Sequence, residues 1–337
     1  MYSIILSSVA AGTIITMTSY HWLLAWIGLE LNTLAIIPII AKQHTPRATE
    51  ATTKYFLTQA AASATILFAS TTNAWHTGTW DITQLTNQPS CTLLTMALAM
   101  KLGLAPLHFW LPEVLQGATL KTALIIATWQ KLAPAVLLYL VNASISPTTL
   151  LTMGILSTIV GGWGGLNQTQ MRKIMAFSSI AHLGWMATIL TINPNIMLLN
   201  LALYILMTTP LFLTLMFSSS KTIKDLTTTW TISPPVTAMV LMLLMSMGGL
   251  PPLTGFVPKW LILQELTTHN LTSTATILAL SALLSLFFYL RLSYTSTLTV
   301  FPTTIKNAHK WRFQPKHNTT PMTTTIATSL LLLPMTP

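Results

Sequence analysis

The sequence predicts an all-α integral membrane protein of about eleven transmembrane helices. They form two inverted five-helix repeats, each with a discontinuous fourth helix, followed by a C-terminal helix. Three observations carry this prediction: a membrane composition, a regular succession of long apolar stretches, and a Gly/Pro motif that occurs twice. Of 337 residues, 52% are hydrophobic and 7% charged, and the mean hydropathy is +0.64. Ordinary soluble domains are roughly 25% charged.

Apolar stretches of about 18 to 25 residues recur along the chain, each long enough to cross a hydrocarbon core of roughly 30 Å as a helix. They fall at roughly 3–20, 22–41, 54–75, 91–116, 119–141, 147–166, 173–192, 196–217, 234–266, 272–297 and 321–337. The loops between them alternate in charge. Lys42, Arg47 and Lys54 lie between the second and third spans, Lys121 between the fourth and fifth, and Arg172 and Lys173 between the sixth and seventh. Lys221 and Lys224 lie between the eighth and ninth, and Lys306, Lys310, Arg312 and Lys316 between the tenth and eleventh. The other loops hold no Lys or Arg. By the positive-inside rule this places the N-terminus on the inner face and the C-terminus on the outer one. It also explains the net charge of +10 as membrane orientation rather than nucleic-acid binding.

GLAPLHFWLP, from Gly103, and GLPPLTGFVP, from Gly249, agree at Gly103/Gly249, Leu104/Leu250, Pro106/Pro252, Leu107/Leu253 and Pro112/Pro258. They occupy the fourth and ninth spans, and a separation of five spans makes the two copies run in opposite directions. The first repeat then covers about 1–143, the second about 146–300, and the C-terminal helix about 321–337. Two prolines per copy remove backbone donors and glycine weakens the same turn, so each segment is predicted to be a broken helix with freed carbonyls. Such backbone is tolerated at membrane depth only when buried in protein or beside water.

The ionisable residues deep inside these spans are chiefly four. Lys101 precedes the first break by two residues, Lys259 follows Pro258 at the second, Lys131 is central in IATWQKLAPAV, and Glu30 is central in LLAWIGLELNTLAII. A charge at that depth costs roughly 2.5–3.5 kcal/mol on insertion scales. Lys101 and Lys131 are about ten residues, or roughly 15 Å of rise, from either span end, too far for a lysine stem to snorkel. A structural Lys–Glu pair is the bland alternative, but one carboxylate cannot neutralise three lysines. Desolvation favours the neutral amine and a nearby carboxylate the ammonium, so a lysine held between them can exchange a proton. The residues thus point to a proton relay. His182, in SSIAHLGWM, and His108, in the first broken motif, are secondary members, each as readily a hydrogen-bonded core histidine. Glu113 and Glu265 come near segment ends, where a loop-facing carboxylate is expected.

Other features carry less. Cys91 alone cannot form an intrachain disulfide, a thiolate metal site or an iron–sulfur cluster. Gly161, Gly162, Gly164 and Gly165 have no preceding strand and predict close helix packing, not a nucleotide loop. The sequons at Asn142, Asn167, Asn270 and Asn318 are expected to be unused. No Arg-rich presequence precedes the first apolar run, which predicts insertion through its own helices or synthesis at the site of use.

The segments WIGLELNTLAIIPII, MKLGLAPLHFWLPEVLQG, WQKLAP, MRKIMAFSSIAHLGWM and GGLPPLTGFVPKWLILQEL together resemble the chain 2 family among the antiporter-like subunits of mitochondrial NADH:ubiquinone oxidoreductase, respiratory complex I. The resemblance spans essentially the whole chain. It implies two inverted five-helix repeats, and a glutamate, here Glu30, that pairs with the lysine of the first broken helix, here Lys101. It implies that Lys131 is the central lysine of a half-channel and Lys259 the lysine of the second broken helix. No redox centre or metal is expected in this chain. NADH, FMN, iron–sulfur clusters and ubiquinone are expected in partner subunits. Partners are other membrane-arm subunits, including other antiporter-like chains, and lipids such as cardiolipin, with no nucleic acid. The location implied is the mitochondrial inner membrane, with the N-terminus in the matrix. Bacterial relatives carry three more N-terminal helices, so the flank of the first repeat is expected to be covered by neighbours. Without the resemblance, a free-standing cation/proton antiporter leads, with a structural membrane scaffold behind it.

Overall fold

The computed structural model describes residues 2–298 and 320–331, and the secondary structure there is helical, with no strand among the described residues. Lys306, Lys310, Arg312 and Lys316, the Asn318 sequon and the end of the last expected span lie outside the described residues.

The first helices are α1 (Tyr2–Thr18), α2 (Trp22–Ala41) and α3 (Pro46–Thr77). His21 starts α2 by accepting from the Leu23 N–H, and Thr45 starts α3 by accepting from the Ala48 N–H, with Pro46 in the first turn. The fourth expected span divides into α4 (Gln88–Leu102) and α5 (Trp110–Gly117). The fifth also divides, into α6 (Leu120–Ala127) and α7 (Leu132–Leu140), with a 3₁₀ turn over Trp129–Lys131. The continuous helix expected at 119–141 is therefore corrected. Pro134 has no N–H for the Gln130 carbonyl and its ring crowds that group, so the α-helical ladder cannot run through.

Next come α8 (Pro147–Gly165), α9 (Met171–Leu190) and α10 (Pro194–Phe217). Two short helices, α11 (Ile223–Thr227) and α12 (Thr229–Ile232), precede α13 (Pro234–Gly248) and α14 (Phe256–Thr268), the halves of the ninth expected span. The chain continues as α15 (Thr272–Leu298) and α16 (Thr320–Leu331). By length and composition, five helical stretches among the described residues can cross a membrane: α2, Leu120–Leu140, α9, α10 and α15.

The most buried of them is α9, which packs against α5, α6, α8, α10, α14 and α15 and so forms the axis of the bundle. The glycines of α8 bring its neighbours close. An added Cβ at Gly161 would lie 2.6 Å from the Ala181 nitrogen on α9, and one at Gly162 would lie 2.9 Å from the Leu284 Cβ on α15. Close packing of small residues is how helices associate in lipid. Two arginines close helix C-termini: Arg172 donates to the Ala118 carbonyl just after α5, and Arg291 to the Leu166 carbonyl just after α8 at 2.5 Å. A cation there meets unsatisfied carbonyls and the negative end of the helix dipole.

The loop carrying α11 is tied to the start of α9. The Met171 N–H donates to the Lys221 carbonyl and the Ile223 N–H to the Thr169 carbonyl, both at 3.0 Å. Thr222 and Asp225 form a capping box at the start of α11. Burial pushes the Asp225 carboxyl up, but the Thr222 and Lys221 amides it accepts from hold it below the ordinary carboxylate range. Its stabilisation is complete above the unfolded pKa and is lost as pH falls through the lowered folded pKa. Asp225→Ala should cost about 1 kcal/mol, seen as roughly five-fold faster hydrogen exchange across 222–227 near neutral pH. The difference from wild type should vanish in acid; a difference that persists there would show that the charge plays no part.

Candidate functional site

The two broken helices have matching backbones. Gly103 (φ +83, ψ 38) ends α4 and Gly249 (φ +79, ψ 40) ends α13, in the left-handed region that an L side chain rarely adopts. In each copy the glycine N–H donates back to the last turn, to Ala99 and Met100 or to Met245 and Ser246, and a cis peptide precedes the shared proline, Pro106 or Pro252. Side chains also donate to carbonyls at the breaks, where the Met100 carbonyl keeps its bond from Gly103 as well. The Trp110 indole N–H donates to the Met100 carbonyl at 3.0 Å, and Lys259 Nζ donates to the Gly248 carbonyl at 2.7 Å.

Lys101 lies on the last turn of α4 and is buried. It lines a small cavity of about 10 Å³ with Asn32, Tyr55, Gln59 and Gln130, enough for roughly one water. Lys101 Nζ and Gln130 Nε2 have no hydrogen-bond partner in the protein, while Tyr55 donates to Gln130 Oε1 at 3.4 Å. Glu30 sits within electrostatic reach of Lys101 and of Tyr55, yet one of its carboxylate oxygens is buried without a partner. The expected Glu30–Lys101 pair is thus a near-neighbour relation rather than a contact ion pair. Buried polar groups need partners, so the cluster is suited to water.

Lys131, 3% exposed, is the last residue of the 3₁₀ turn between α6 and α7. In that turn its N–H bonds the Thr128 carbonyl, leaving the Ala127 carbonyl that an α-helix would have used. The Tyr204 hydroxyl, from α10, donates to Ala127 at 3.2 Å and accepts from Lys131 Nζ at 2.9 Å. Tyr204 meets the His182 ring of α9 at 5.4 Å between centroids, and His182 lies within electrostatic reach of both Lys131 and Lys259. Tyr289, from α15, is fully buried beside Ser178, and its hydroxyl closes no hydrogen bond. His108 is buried in the first break against Phe109, its Nδ1 without a partner.

Five of the six expected site residues therefore fall into polar groups, Glu30 with Lys101, Lys131 beside Tyr204, and Lys259 at the second break, with His182 within reach of the last two lysines, while His108 stays inside the first break. Glu113 and Glu265 lie away from these groups. Glu113 pairs with Lys54 at 2.6 Å, and Lys54 also holds Glu50 at 2.5 Å; Glu265 accepts from Asn193 at 3.3 Å. Tyr204, Tyr55, Asn32, Gln59 and Gln130 join the site without having been singled out. Their only signal was an uncharged polar group within an apolar span. Among the described residues no three His, Cys, Asp or Glu side chains come together to hold a metal ion.

A family profile described as NADH:quinone oxidoreductase/Mrp antiporter, TM, matches residues 19–285. The NADH-ubiquinone oxidoreductase chain 2 of Oncorhynchus mykiss is 59% identical over 335 residues, 99% of this chain and 96% of its own length. The chain belongs to the chain 2 family. Residues 286–337 match a second profile of that family, NADH dehydrogenase subunit 2 C-terminus. Among solved structures, a chain of respiratory complex I from Thermus thermophilus superposes with a TM-score of 0.87 at 27% identity, over 99% of this chain and 77% of its own length. A chain of the Mrp complex from a Dietzia species superposes at 0.76 with 17% identity over 89% of this chain and 61% of its own, a likeness of fold alone. Both lysine-bearing breaks lie within residues 19–285, which the NADH:quinone oxidoreductase/Mrp antiporter profile matches.

Proposed function

We propose that the chain relays protons through Glu30, Lys101, Lys131 and Lys259, with His182 and His108 as secondary members. As a chain 2 family member it is a core membrane-arm subunit of proton-pumping NADH:ubiquinone oxidoreductase and a multi-pass protein of the inner membrane. Electron transfer belongs to partner subunits, where NADH, FMN, iron–sulfur clusters and ubiquinone are handled. The observation that carries the relay is the placing of Lys131: a buried amino group with no carboxylate in contact among the described residues, held by a tyrosine hydroxyl in a mid-helix 3₁₀ turn. A buried lysine so held can lose and regain a proton when its surroundings change modestly.

The architecture belongs to the same reading. Matching left-handed glycines at Gly103 and Gly249 support two inverted five-helix repeats, about 1–143 and 146–300, with a C-terminal helix and about eleven spans. The basic loops support a matrix N-terminus and an intermembrane-space C-terminus. Other antiporter-like chains are the neighbours that would pass charge to and from the lysines.

Lys259→Arg tests the relay. Arginine retains the charge and can donate to the Gly248 carbonyl, but it does not release its proton in proteins. The assembled enzyme in proteoliposomes should translocate fewer protons per NADH oxidised. Unchanged stoichiometry would make Lys259 a fixed charge and break the relay.

A further inference from the structure

A groove runs between α6, the end of α10 and the start of α16. Two adjacent cavities, of about 440 and 480 Å³, share Lys121 and Met216 in their walls. Its deeper wall is hydrocarbon, from Leu124, Ile125, Leu213 and Met322. Its mouth is different. Lys42, Lys121 and Lys221 line it, from the end of α2, the start of α6 and the loop after α10, together with the hydroxyls of Thr119, Thr122 and Ser219. No acidic residue lines either part. All three lysines come from segments that the alternation of loop charge assigns to one side of the membrane, and they stand where an apolar wall gives way to a polar rim.

We propose that this groove binds an anionic glycerophospholipid, its phosphate at Lys121 and Lys221 and an acyl chain along α6 and α10. A purely apolar occupant offers nothing to the ammonium groups of Lys121 and Lys221, the second of which already faces Asp225, and a soluble anion leaves the hydrocarbon wall exposed. A lipid with a net negative headgroup satisfies both. Zwitterionic lipids fill the wall equally well but neutralise none of the charge. Each lysine near an anionic headgroup is worth about five-fold in occupancy. The lipid would also fasten the interrupted fifth span to α16, since Lys121 and Leu124 are on α6 and Met322 is on α16.

The test uses the assembled complex in phosphatidylcholine liposomes. The liposomes are doped with either phosphatidylglycerol or phosphatidylcholine carrying a diazirine at the end of one acyl chain. Phosphatidylglycerol should label peptides from 120–127 and 211–217 several-fold more than phosphatidylcholine does. Lys121→Gln with Lys221→Gln should bring the phosphatidylglycerol labelling down to the phosphatidylcholine level, a loss of up to about 25-fold at five-fold for each lysine, and leave phosphatidylcholine labelling unchanged. Native gels verify that the double variant assembles. Equal labelling by the two lipids, or labelling indifferent to the substitutions, would overturn the proposal. So would efficient crosslinking of a cysteine placed at Leu213 to a neighbouring subunit, because the occupant would then be protein.

Discussion

Lys131→Met is expected to leave the subunit folded and assembled while slowing proton passage through it by about 100-fold or more, the low end of what a positioned proton-transfer group contributes. The two halves of this expectation have separate physical causes. Met fills much of the lysine volume, and removing a buried charge in favour of an apolar side chain is often neutral or stabilising. The Tyr204 hydroxyl keeps its own donor bond to Ala127, so no buried donor is orphaned. Tyr204→Phe should behave in the opposite way. It strips partners from both the Ala127 carbonyl and Lys131 Nζ, and each buried group left unpaired costs about 1–3 kcal/mol. Protons translocated per NADH in proteoliposomes and the thermal midpoint of the complex separate the two. If Lys131→Met pumps normally, Lys131 is a structural charge.

Gly255→Ala is expected to be the most damaging single methyl in the chain. Gly255 has an ordinary helical φ of −67, so conformation is not the difficulty. The added Cβ would lie 1.7 Å from the Ser246 carbonyl oxygen, a backbone atom that cannot rotate away. The two limbs of the second break would have to separate, at a cost at or above the roughly 1–3 kcal/mol usual for overpacking. Native gels should show little assembled complex. Gly78→Ala is the control: its φ is +73 but nothing lies within 4 Å of the new Cβ, and it should cost only about 1 kcal/mol. Normal assembly of Gly255→Ala would mean that the break closes less tightly than described.

Both breaks were legible in the sequence because their causes are local: glycine supplies the left-handed residue, and proline removes a donor wherever it stands. Lys101 and Lys259 were legible for the same reason, as charges beside a break. Pro134 carried an equally local signal, yet the apolar run around it is unbroken, and hydropathy read the fifth span as one helix. Tyr204 could not be read at all. Its role depends on Lys131, 73 residues away, and a tyrosine in a membrane segment otherwise suggests the interface belt. The central position of α9 was likewise hidden, since helices buried in protein and helices facing lipid have similar hydropathy. Arg291 stood in mid-span unnoticed, and its contact with Leu166 gives it a capping role.

The second break also differs from the first in its cover. The Thr254 hydroxyl donates to the Ser329 carbonyl of α16 at 2.6 Å, whereas Phe109, the first-copy counterpart of Gly255, is 69% exposed.

The Tyr204 hydroxyl has a single proton, and the Ala127 carbonyl, which can only accept, holds it. Lys131 must therefore be the donor in their contact, and Tyr204 cannot take its proton and pass one onward while Ala127 keeps its hold. In the relay proposed above, a proton would cross this point only after the 3₁₀ turn shifts or the tyrosine swings free. Such a junction would act as a turnstile, closed in this arrangement and opened by movement of a helix, and would keep protons from leaking back along it.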